Sequence, residues 1–259
     1  MAAPAAAAAP PTAAPPPPGG PVLSFEAVSA GYGPLVVLDG ASLALAADEV
    51  LLVLGANGSG KSTLLKTAMG LTRVSAGRVA VAGRDVTNAP PHRRAALGLG
   101  YVPQSGNVFS DLTVRDNLKM GAFLRPGGVE AALPGLLDLF PRLGERLSAR
   151  AGALSGGERR MLSIAMTLLI EPKVLLLDEP SSDLAPSTVG LVYEAIGRVH
   201  RERAIPVLLV EQNIAKGLSA ADRVLVMVRG RVAAEMPVGE VEPGRLHDLF
   251  MDGGVRVAG

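Results

Sequence analysis

Short apolar runs alternate with helix-compatible stretches from Pro21 onward, which predicts an α/β fold with a mainly parallel sheet covered by helices. Runs that are apolar at nearly every position indicate central strands, because helices bury both faces of such strands. These runs lie at residues 50–54, 174–177 and 207–210. Shorter alternating segments predict a smaller, partly antiparallel layer near the N-terminus, and they lie at residues 22–28, 43–45 and 78–81.

A helical subdomain is predicted between about residues 105 and 167, where strand patterns are absent. Residues 113–120 and 129–140 are compatible with helices, and the apolar stretch 161–170 suits a core helix. The pattern therefore predicts one domain over residues 21–259, with the helical subdomain inserted into its α/β core. Residues 1–20 contain seven prolines among alanines, and we expect them to form a disordered tail.

The composition at first suggests a membrane protein, since 48% of the residues are apolar and the mean hydropathy is +0.33. No apolar run, however, approaches the roughly 20 residues that a membrane-spanning helix needs. The N-terminus lacks the basic region of a secretory signal, so we expect the protein in the cytoplasm. The net charge of +1 argues against a nucleic-acid-binding protein. The absence of cysteine excludes disulfides, thiolate metal sites and a thiol nucleophile.

The first candidate site is a phosphate-binding loop. After the strand at residues 50–54, the sequence matches G-x-x-x-x-G-K-[ST] and continues into a helix-compatible stretch, the order that this motif requires. Its glycines let backbone N–H groups face phosphate oxygens, Lys61 is expected to bind the β- and γ-phosphates of ATP, and Ser62 is expected to bind Mg²⁺. The alternative is a glycine-rich turn with an incidental lysine. The predicted nucleotide-binding residues of this segment are Gly55, Ala56, Asn57, Gly58, Ser59, Gly60, Lys61, Ser62 and Thr63.

A pair of acids, Asp178 and Glu179, follows the apolar run at residues 174–177. Ligands of open α/β sheets bind at the carboxyl ends of the strands, where this pair is expected. Successive strand residues point to opposite faces, so the two acids can have different roles. Asp178 suits the Mg²⁺ site, and Glu179 suits the orientation and deprotonation of a water molecule aimed at the γ-phosphate. The alternative for the pair alone is a turn or a helix cap.

A third motif opens the helix predicted at residues 161–170. Ser155 and Glu158 have the spacing of a capping box, and a helix N-terminus with two glycines is also an anion site. With this motif the sequence resembles the ATP-binding subunits of ABC transporters, which have a P-loop NTPase (RecA-like) fold. The resemblance implies that the motif contacts the γ-phosphate of ATP bound to a partner subunit. The residues of this signature segment are Leu154, Ser155, Gly156, Gly157 and Glu158.

The same resemblance assigns further roles. It implies that Tyr32 stacks on adenine, although a lone tyrosine can equally be a packing residue. It implies that Gln104 reaches Mg²⁺ and the attacking water, and that residues 105–124 form the groove that receives the coupling helix of a permease. An apolar patch at Val108, Phe109 and Phe123 is expected to dock against that partner.

Segments 139–143, 178–186 and 208–213 narrow the resemblance to the ATPases of branched-chain amino acid importers, the LivF type. Gln212 occupies the position of the switch histidine of the wider family and cannot carry charge or shuttle a proton. Ala185 occupies the D-loop aspartate position, and Asp183 stands where the LivF type more often has glycine. Catalysis is therefore expected to rest mainly on Glu179.

The leading hypothesis is an ATPase, dependent on ATP and Mg²⁺, that lies on the cytoplasmic face of the membrane and drives import of branched-chain or related amino acids. Its implied partners are a second ATPase subunit, two permease subunits and, indirectly, a solute-binding protein. The resemblance favours a heterodimer of ATPases, and a homodimer stays open. Three alternatives also stay open: an importer of urea or amides, a soluble ABC protein acting on nucleic acid or ribosomes, and an ATP sensor without hydrolysis.

Two other features are given no catalytic role. The three histidines have no metal-ligand spacing and are expected at the surface. Three arginines recur every four residues and predict a solvated helix face. The histidines are His92, His200 and His247, and the arginines are Arg142, Arg146 and Arg150.

Overall fold

The computed structural model of the protein describes residues 19–123 and 125–242. The strands are β1 (Leu23–Tyr32), β2 (Leu35–Leu45), β3 (Val50–Leu54), β4 (Arg73–Val81), β5 (Arg84–Asp85), β6 (Leu99–Val102), β7 (Val174–Asp178), β8 (Val207–Glu211), β9 (Arg223–Val228) and β10 (Arg231–Pro237). The helices are α1 (Lys61–Ala68), α2 (Pro91–Ala96), α3 (Val114–Gly121), α4 (Leu133–Leu139), α5 (Pro141–Gly144), α6 (Gly156–Leu168), α7 (Pro186–Arg203) and α8 (Ile214–Leu218). Most of the predicted tail at residues 1–20, and also His247, lie outside the described residues.

The strands form two sheets, as the sequence predicts. A four-stranded antiparallel sheet has the order β2-β1-β4-β5, and a six-stranded sheet has the order β10-β9-β3-β8-β7-β6. In the second sheet all neighbours run parallel except β9 and β10. Every residue of β3, β7 and β8 is buried, which explains their unbroken apolar runs. The predicted α/β fold with an N-terminal antiparallel layer is therefore confirmed.

Three strands of the larger sheet, β6, β9 and β10, were not predicted. Strand β6 has four residues, one of them Gly100, so its apolar signal is short. Strand β10 lies at the edge of the sheet, where its side chains are mostly half-exposed and its pattern is weak. No helix among the described residues is both long and apolar enough to cross a lipid bilayer.

Helices α3 to α6 lie between β6 and β7, where the helical subdomain is predicted. The helix expected over residues 129–140 is shorter and begins at Leu133. It ends at Leu139, and the next residue, Phe140, has φ −129° and ψ 65°, because the following Pro141 disfavours the helical conformation at the residue before it.

The prediction that Arg142, Arg146 and Arg150 lie on one solvated helix face is wrong. Helix α5 ends at Gly144, so it contains Arg142 but neither Arg146 nor Arg150. Arg150 instead pairs with Thr113 in an isolated antiparallel bridge. The three side chains are exposed, but they do not share one helix face.

A buried arginine fixes the far end of α1. The guanidinium of Arg94 donates to the carbonyls of Thr67 (2.7 Å) and Ala68 (3.0 Å) in the last turn of α1. It also donates to the carbonyls of Thr87 (2.9 Å) and Ala89 (2.9 Å). The side chain is 1% exposed, and its hydrogen bonds to Thr67 and Ala68 are buried, so water cannot readily replace them. A cation at a helix C-terminus is also favoured by the helix dipole.

We expect Arg94→Met to destabilise the protein by about 3 kcal/mol, because it leaves buried carbonyls without donors. The neighbouring Arg93 is exposed, so Arg93→Met should stay within about 0.5 kcal/mol of wild type. Urea denaturation of the three proteins measures both differences. Equal midpoints for the two variants would show that Arg94 does not hold α1 in this way.

Candidate functional site

The phosphate loop connects the buried strand β3 to helix α1. Gly60 has φ 103° and caps the helix N-terminus, a conformation that glycine adopts without steric cost. A side chain at Gly55 would place its Cβ 2.5 Å from the carbonyl oxygen of Met227 and 2.4 Å from the hydroxyl of Ser59. The loop therefore needs glycine at both positions, and its backbone N–H groups converge at the positive end of α1.

The side chain of Lys61 folds back over this loop. Its Nζ donates to the carbonyls of Gly55 (2.9 Å) and Ala56 (3.2 Å) and lies 3.7 Å from Oε1 of Glu179. Lys61 is 4% exposed, and this burial lowers the pKa of its ammonium, against the opposing effect of the charges on Glu179 and Asp178. A phosphate group in the loop would therefore meet a desolvated cation, which binds anions more strongly than a hydrated one.

Asp178 lies at the carboxyl end of β7 and accepts two hydroxyl hydrogen bonds. Ser62 donates to Oδ1 (2.8 Å) and Tyr101 donates to Oδ2 (3.1 Å). Burial raises the pKa of Asp178, although these two hydrogen bonds partly oppose the shift. Tyr101 was not predicted to belong to the site, even though it stands in the segment that contains Gln104.

Glu179 directly follows the end of β7. Nε2 of Gln212 donates to its Oε1 (2.8 Å), and Nε2 of Gln104 donates to its Oε2 (3.2 Å). Its backbone has φ 46°, a conformation that costs a non-glycine residue of order 1–3 kcal/mol and often marks functional sites. The amides from two separate loops thus orient one buried carboxylate beside Lys61.

The oxygen donors of this site fit Mg²⁺. The Ser62 hydroxyl and the Asp178 carboxylate already meet, and hard oxygen ligands are those that Mg²⁺ prefers. Gln104 is held at Glu179 rather than at Asp178, so its predicted contact with the ion needs a movement of its side chain. In residues 19–123 and 125–242, no group of three or more His, Cys, Asp or Glu side chains could hold a metal by itself. An ion at Ser62 and Asp178 would therefore complete its shell with phosphate and water.

Glu211 is a buried residue of the site that the sequence analysis missed. Its Oε1 accepts from the backbone N–H of Ser181 (2.9 Å), and its Oε2 accepts from those of Gln212 (3.0 Å) and Asn213 (3.3 Å). It thereby fixes the loops that carry Glu179 and Gln212. One feature of the sequence could have identified Glu211: it is an acid that directly follows the apolar run at residues 207–210.

The signature segment forms the predicted capping box. Ser155 Oγ accepts from the backbone N–H of Glu158 (3.2 Å), and Glu158 Oε2 accepts from that of Ser155 (2.8 Å). The latter hydrogen bond is the main cause of the lowered pKa of Glu158. No hydrogen bond within the described part of the chain joins this segment to the phosphate loop. Among the described residues, the backbone N–H groups of Gly156 and Gly157 have no acceptor, so they are available to another ligand.

Two remaining residues of the prediction lie at the surface. Tyr32 ends β1 and is 42% exposed, so its ring is accessible to a ligand. Asp183 is exposed and has φ 59°, a left-handed conformation that glycine adopts freely and that aspartate tolerates better than most residues. The left-handed conformation explains why glycine suits this position and why aspartate can replace it.

Comparison with known proteins gives concordant results. The sequence model of a family described as ABC transporter matches residues 38–182. The chain is 40% identical to a probable branched-chain amino acid transport ATP-binding protein, LivF, of Archaeoglobus fulgidus, over 80% of this chain and 88% of that protein. It is 41% identical to the high-affinity branched-chain amino acid transport ATP-binding protein BraG of Pseudomonas aeruginosa, over 82% of this chain and 91% of that protein.

A solved structure has the same fold. The ADP conformation of MJ1267, an ATP-binding cassette of an ABC transporter, superposes with a TM-score of 0.75 and 25% identity. The match covers 89% of this chain and 95% of that chain.

The raised pKa of Asp178 predicts how the stability of the nucleotide-free protein depends on pH. Since the folded-state pKa lies above the unfolded-state value, ionisation of Asp178 costs folding free energy. That cost is absent below the unfolded-state pKa of about 3.9 and grows as the pH rises through the folded-state pKa. Relative to wild type, Asp178→Asn should therefore gain stability between about pH 4 and pH 7.

Asp85 provides the control with the opposite sign. Hydrogen bonds from Thr87 lower its pKa, so Asp85→Asn should lose stability relative to wild type as the pH rises toward the unfolded-state pKa of about 3.9, and the difference should then stay nearly constant up to about pH 7. Urea denaturation at a series of pH values measures both trends. A flat or falling curve for Asp178→Asn would contradict the assigned desolvation of this carboxylate.

Proposed function

The chain belongs to the ABC transporter family and is an ATPase subunit of that family, and we propose that it powers the import of branched-chain or related amino acids. The observation that carries the chemistry is the meeting of Lys61, Asp178 and Glu179 at one edge of the parallel sheet. The names of the relatives from A. fulgidus and P. aeruginosa support the class of solute.

The phosphates of ATP bind in the loop of residues 55–63. Backbone N–H groups and the N-terminus of α1 supply donors, and the Lys61 ammonium exchanges its carbonyl partners for phosphate oxygens. Tyr32 is placed against the adenine ring, for which its exposed face is available. Residues of both sheets thus contribute to one nucleotide site.

The Ser62 hydroxyl and the Asp178 carboxylate hold Mg²⁺ in this proposal. When bound, the ion supplies positive charge to the phosphate oxygens. A bound cation would stabilise the ionised form of Asp178, because its charge offsets the burial that otherwise disfavours this form.

Glu179 acts as the general base for the attacking water. Its carboxylate is buried, oriented by the amides of Gln104 and Gln212, and adjacent to Lys61, so it lies within reach of the γ-phosphate site. Because neither glutamine can take up a proton, both amides orient the carboxylate or the water without competing for the proton.

The second part of the site comes from another ATPase subunit. The signature segment, residues 154–158, lies at the N-terminus of α6 and, among the described residues, makes no hydrogen bond to the phosphate loop of its own chain. We therefore place it on the γ-phosphate of a nucleotide bound to the partner, and the partner's equivalent segment on the nucleotide of this chain. The resemblance to the LivF type favours a related ATPase, rather than a second copy, as that partner.

The permease contact lies on the segment after β6, residues 105–123. Phe123 is 82% exposed and Phe109 is 50% exposed, and Val108 is half-buried beside them. Large exposed apolar side chains of this kind mark interaction surfaces. We place two permease subunits and, through them, a solute-binding protein on this side of the molecule, with the ATPase at the cytoplasmic face of the membrane.

We expect Glu179→Gln to lower kcat for ATP hydrolysis by about 10²–10⁴-fold, because the amide cannot accept the proton of the attacking water. Binding of Mg-ATP, measured by calorimetry, should remain, since the loop and Lys61 are unchanged. Steady-state release of phosphate measures the rate. A variant that hydrolyses ATP at the wild-type rate would remove Glu179 from this role.

We expect Phe123→Glu to weaken the complex with the two permease chains, co-expressed with the protein, at least tenfold, because it buries a charge in an apolar contact. Binding of Mg-ATP to the isolated subunit should be unchanged. Leu71→Glu is the matched control, since Leu71 is 50% exposed and lies outside this surface. Equal recovery of the permeases by both variants would contradict the assigned docking surface.

A further inference from the structure

A buried arginine links the signature helix to the loop that carries Gln104. Arg160, on α6, is 8% exposed, whereas its neighbour Arg159 is exposed. Its NH1 donates to the carbonyl of Pro103 (2.9 Å), and its NH2 donates to the carbonyl of Gln104 (2.7 Å). The two nitrogens of one guanidinium thus hold two successive peptide carbonyls at the point where the chain leaves β6.

The chemistry of these contacts favours arginine. A guanidinium is planar and presents parallel N–H groups, so it can bind two adjacent acceptors in a fixed geometry. Burial lowers the pKa of this guanidinium, and attraction to Glu211, Asp178 and Asp183 opposes the shift in part. A second connection lies nearby, where Asn107 and Ser163 exchange hydrogen bonds of 2.6 and 2.9 Å. The loop after β6 is therefore attached to α6 at two places.

These attachments bear directly on the catalytic carboxylate. Gln104 is an exposed residue, and the hydrogen bond from its Nε2 to Glu179 Oε2 (3.2 Å) is the one its side chain makes among the described residues. Because this exposed side chain is held at Glu179 by one hydrogen bond, its position depends on its backbone. Arg160 binds that backbone.

We propose that Arg160 is a positioning residue for ATP hydrolysis: it fixes the main chain at Pro103 and Gln104 so that the Gln104 amide meets Glu179. This inference rests on the proposed function, in which Glu179 is the general base. It has a consequence for the dimer. Helix α6 begins at the signature segment, which faces the partner's nucleotide. A movement of α6 at that nucleotide would therefore shift Arg160 and Gln104, and with them the orientation of Glu179 in this chain's own site.

The competing explanation is that Arg160 only fills and stabilises the space between α6 and β6. Both explanations allow a loss of stability on substitution. They differ in whether the effect on hydrolysis passes through Gln104, and a double-mutant cycle measures that dependence.

The experiment compares Arg160→Met, Gln104→Ala and the double variant, each in complex with the second ATPase subunit, in steady-state hydrolysis of Mg-ATP. We expect Arg160→Met to lower kcat about 10- to 100-fold, because small misplacements of orienting groups have effects of this size. The KM for ATP should stay within about twofold, because the phosphate loop is unchanged. In the Gln104→Ala background, Arg160→Met should cause little further loss.

Two more variants keep the test independent of folding. Arg160→Lys retains the charge and can reach one carbonyl, so it should restore part of the lost kcat even if Arg160→Met folds poorly. Arg150→Met is the matched control, because Arg150 is an exposed arginine of the same subdomain. It should hydrolyse ATP at the wild-type rate.

Losses that multiply in the double variant would overturn the inference, and so would an unchanged kcat in Arg160→Met. A raised KM with an unchanged kcat would also overturn it and indicate a structural role. A wild-type complex of both ATPase subunits that binds but does not hydrolyse ATP would contradict the proposed function itself, and the role of Arg160 would fall with it.

Discussion

The buried ammonium of Lys61 forms an ion pair with the buried carboxylate of Glu179. Lys61 is buried at the start of α1, 3.7 Å from Glu179, and it lies in the field of Asp178 as well. A buried charge is tolerated only where partners surround it, so the loop carbonyls and both acids must be held in place. The parallel sheet does this, because β3 and β7 end at the same edge and deliver the loop and the acids together.

Buried arginines extend this constraint into the surrounding structure. Arg94 binds carbonyls in the last turn of α1, and Arg160 binds carbonyls beside Gln104, so both hold backbone rather than carboxylates. The first fixes the helix that starts at the phosphate loop, and the second fixes the loop that reaches Glu179. Because guanidinium groups remain charged at any physiological pH, these supports do not titrate with the acids they position.

Prediction from the sequence succeeded where a single local pattern determines the structure. The buried strands and the loop at residues 55–62 follow from unbroken apolar runs and from glycine spacing, and the capping box follows from Ser155 and Glu158. Edge strand β10 was not predicted, because a half-exposed strand has only a weak pattern of apolar and polar residues. The sequence analysis did not identify three residues of the site, because their roles depend on contacts with residues distant in sequence. These residues are Glu211, Tyr101 and Arg160. The arginine series failed because Pro141 restarts the helix and Gly144 ends it.

The central claim is that Lys61 and its loop bind the phosphates of ATP, and calorimetric titration with Mg-ATP tests it most directly. Lys61→Met keeps an apolar stem of similar length and removes the charge. A lost charge-assisted hydrogen bond is worth about 1.5–3 kcal/mol, so we expect Mg-ATP to bind at least tenfold more weakly to the variant. Equal affinities of the wild type and of a folded Lys61→Met variant would contradict the claim.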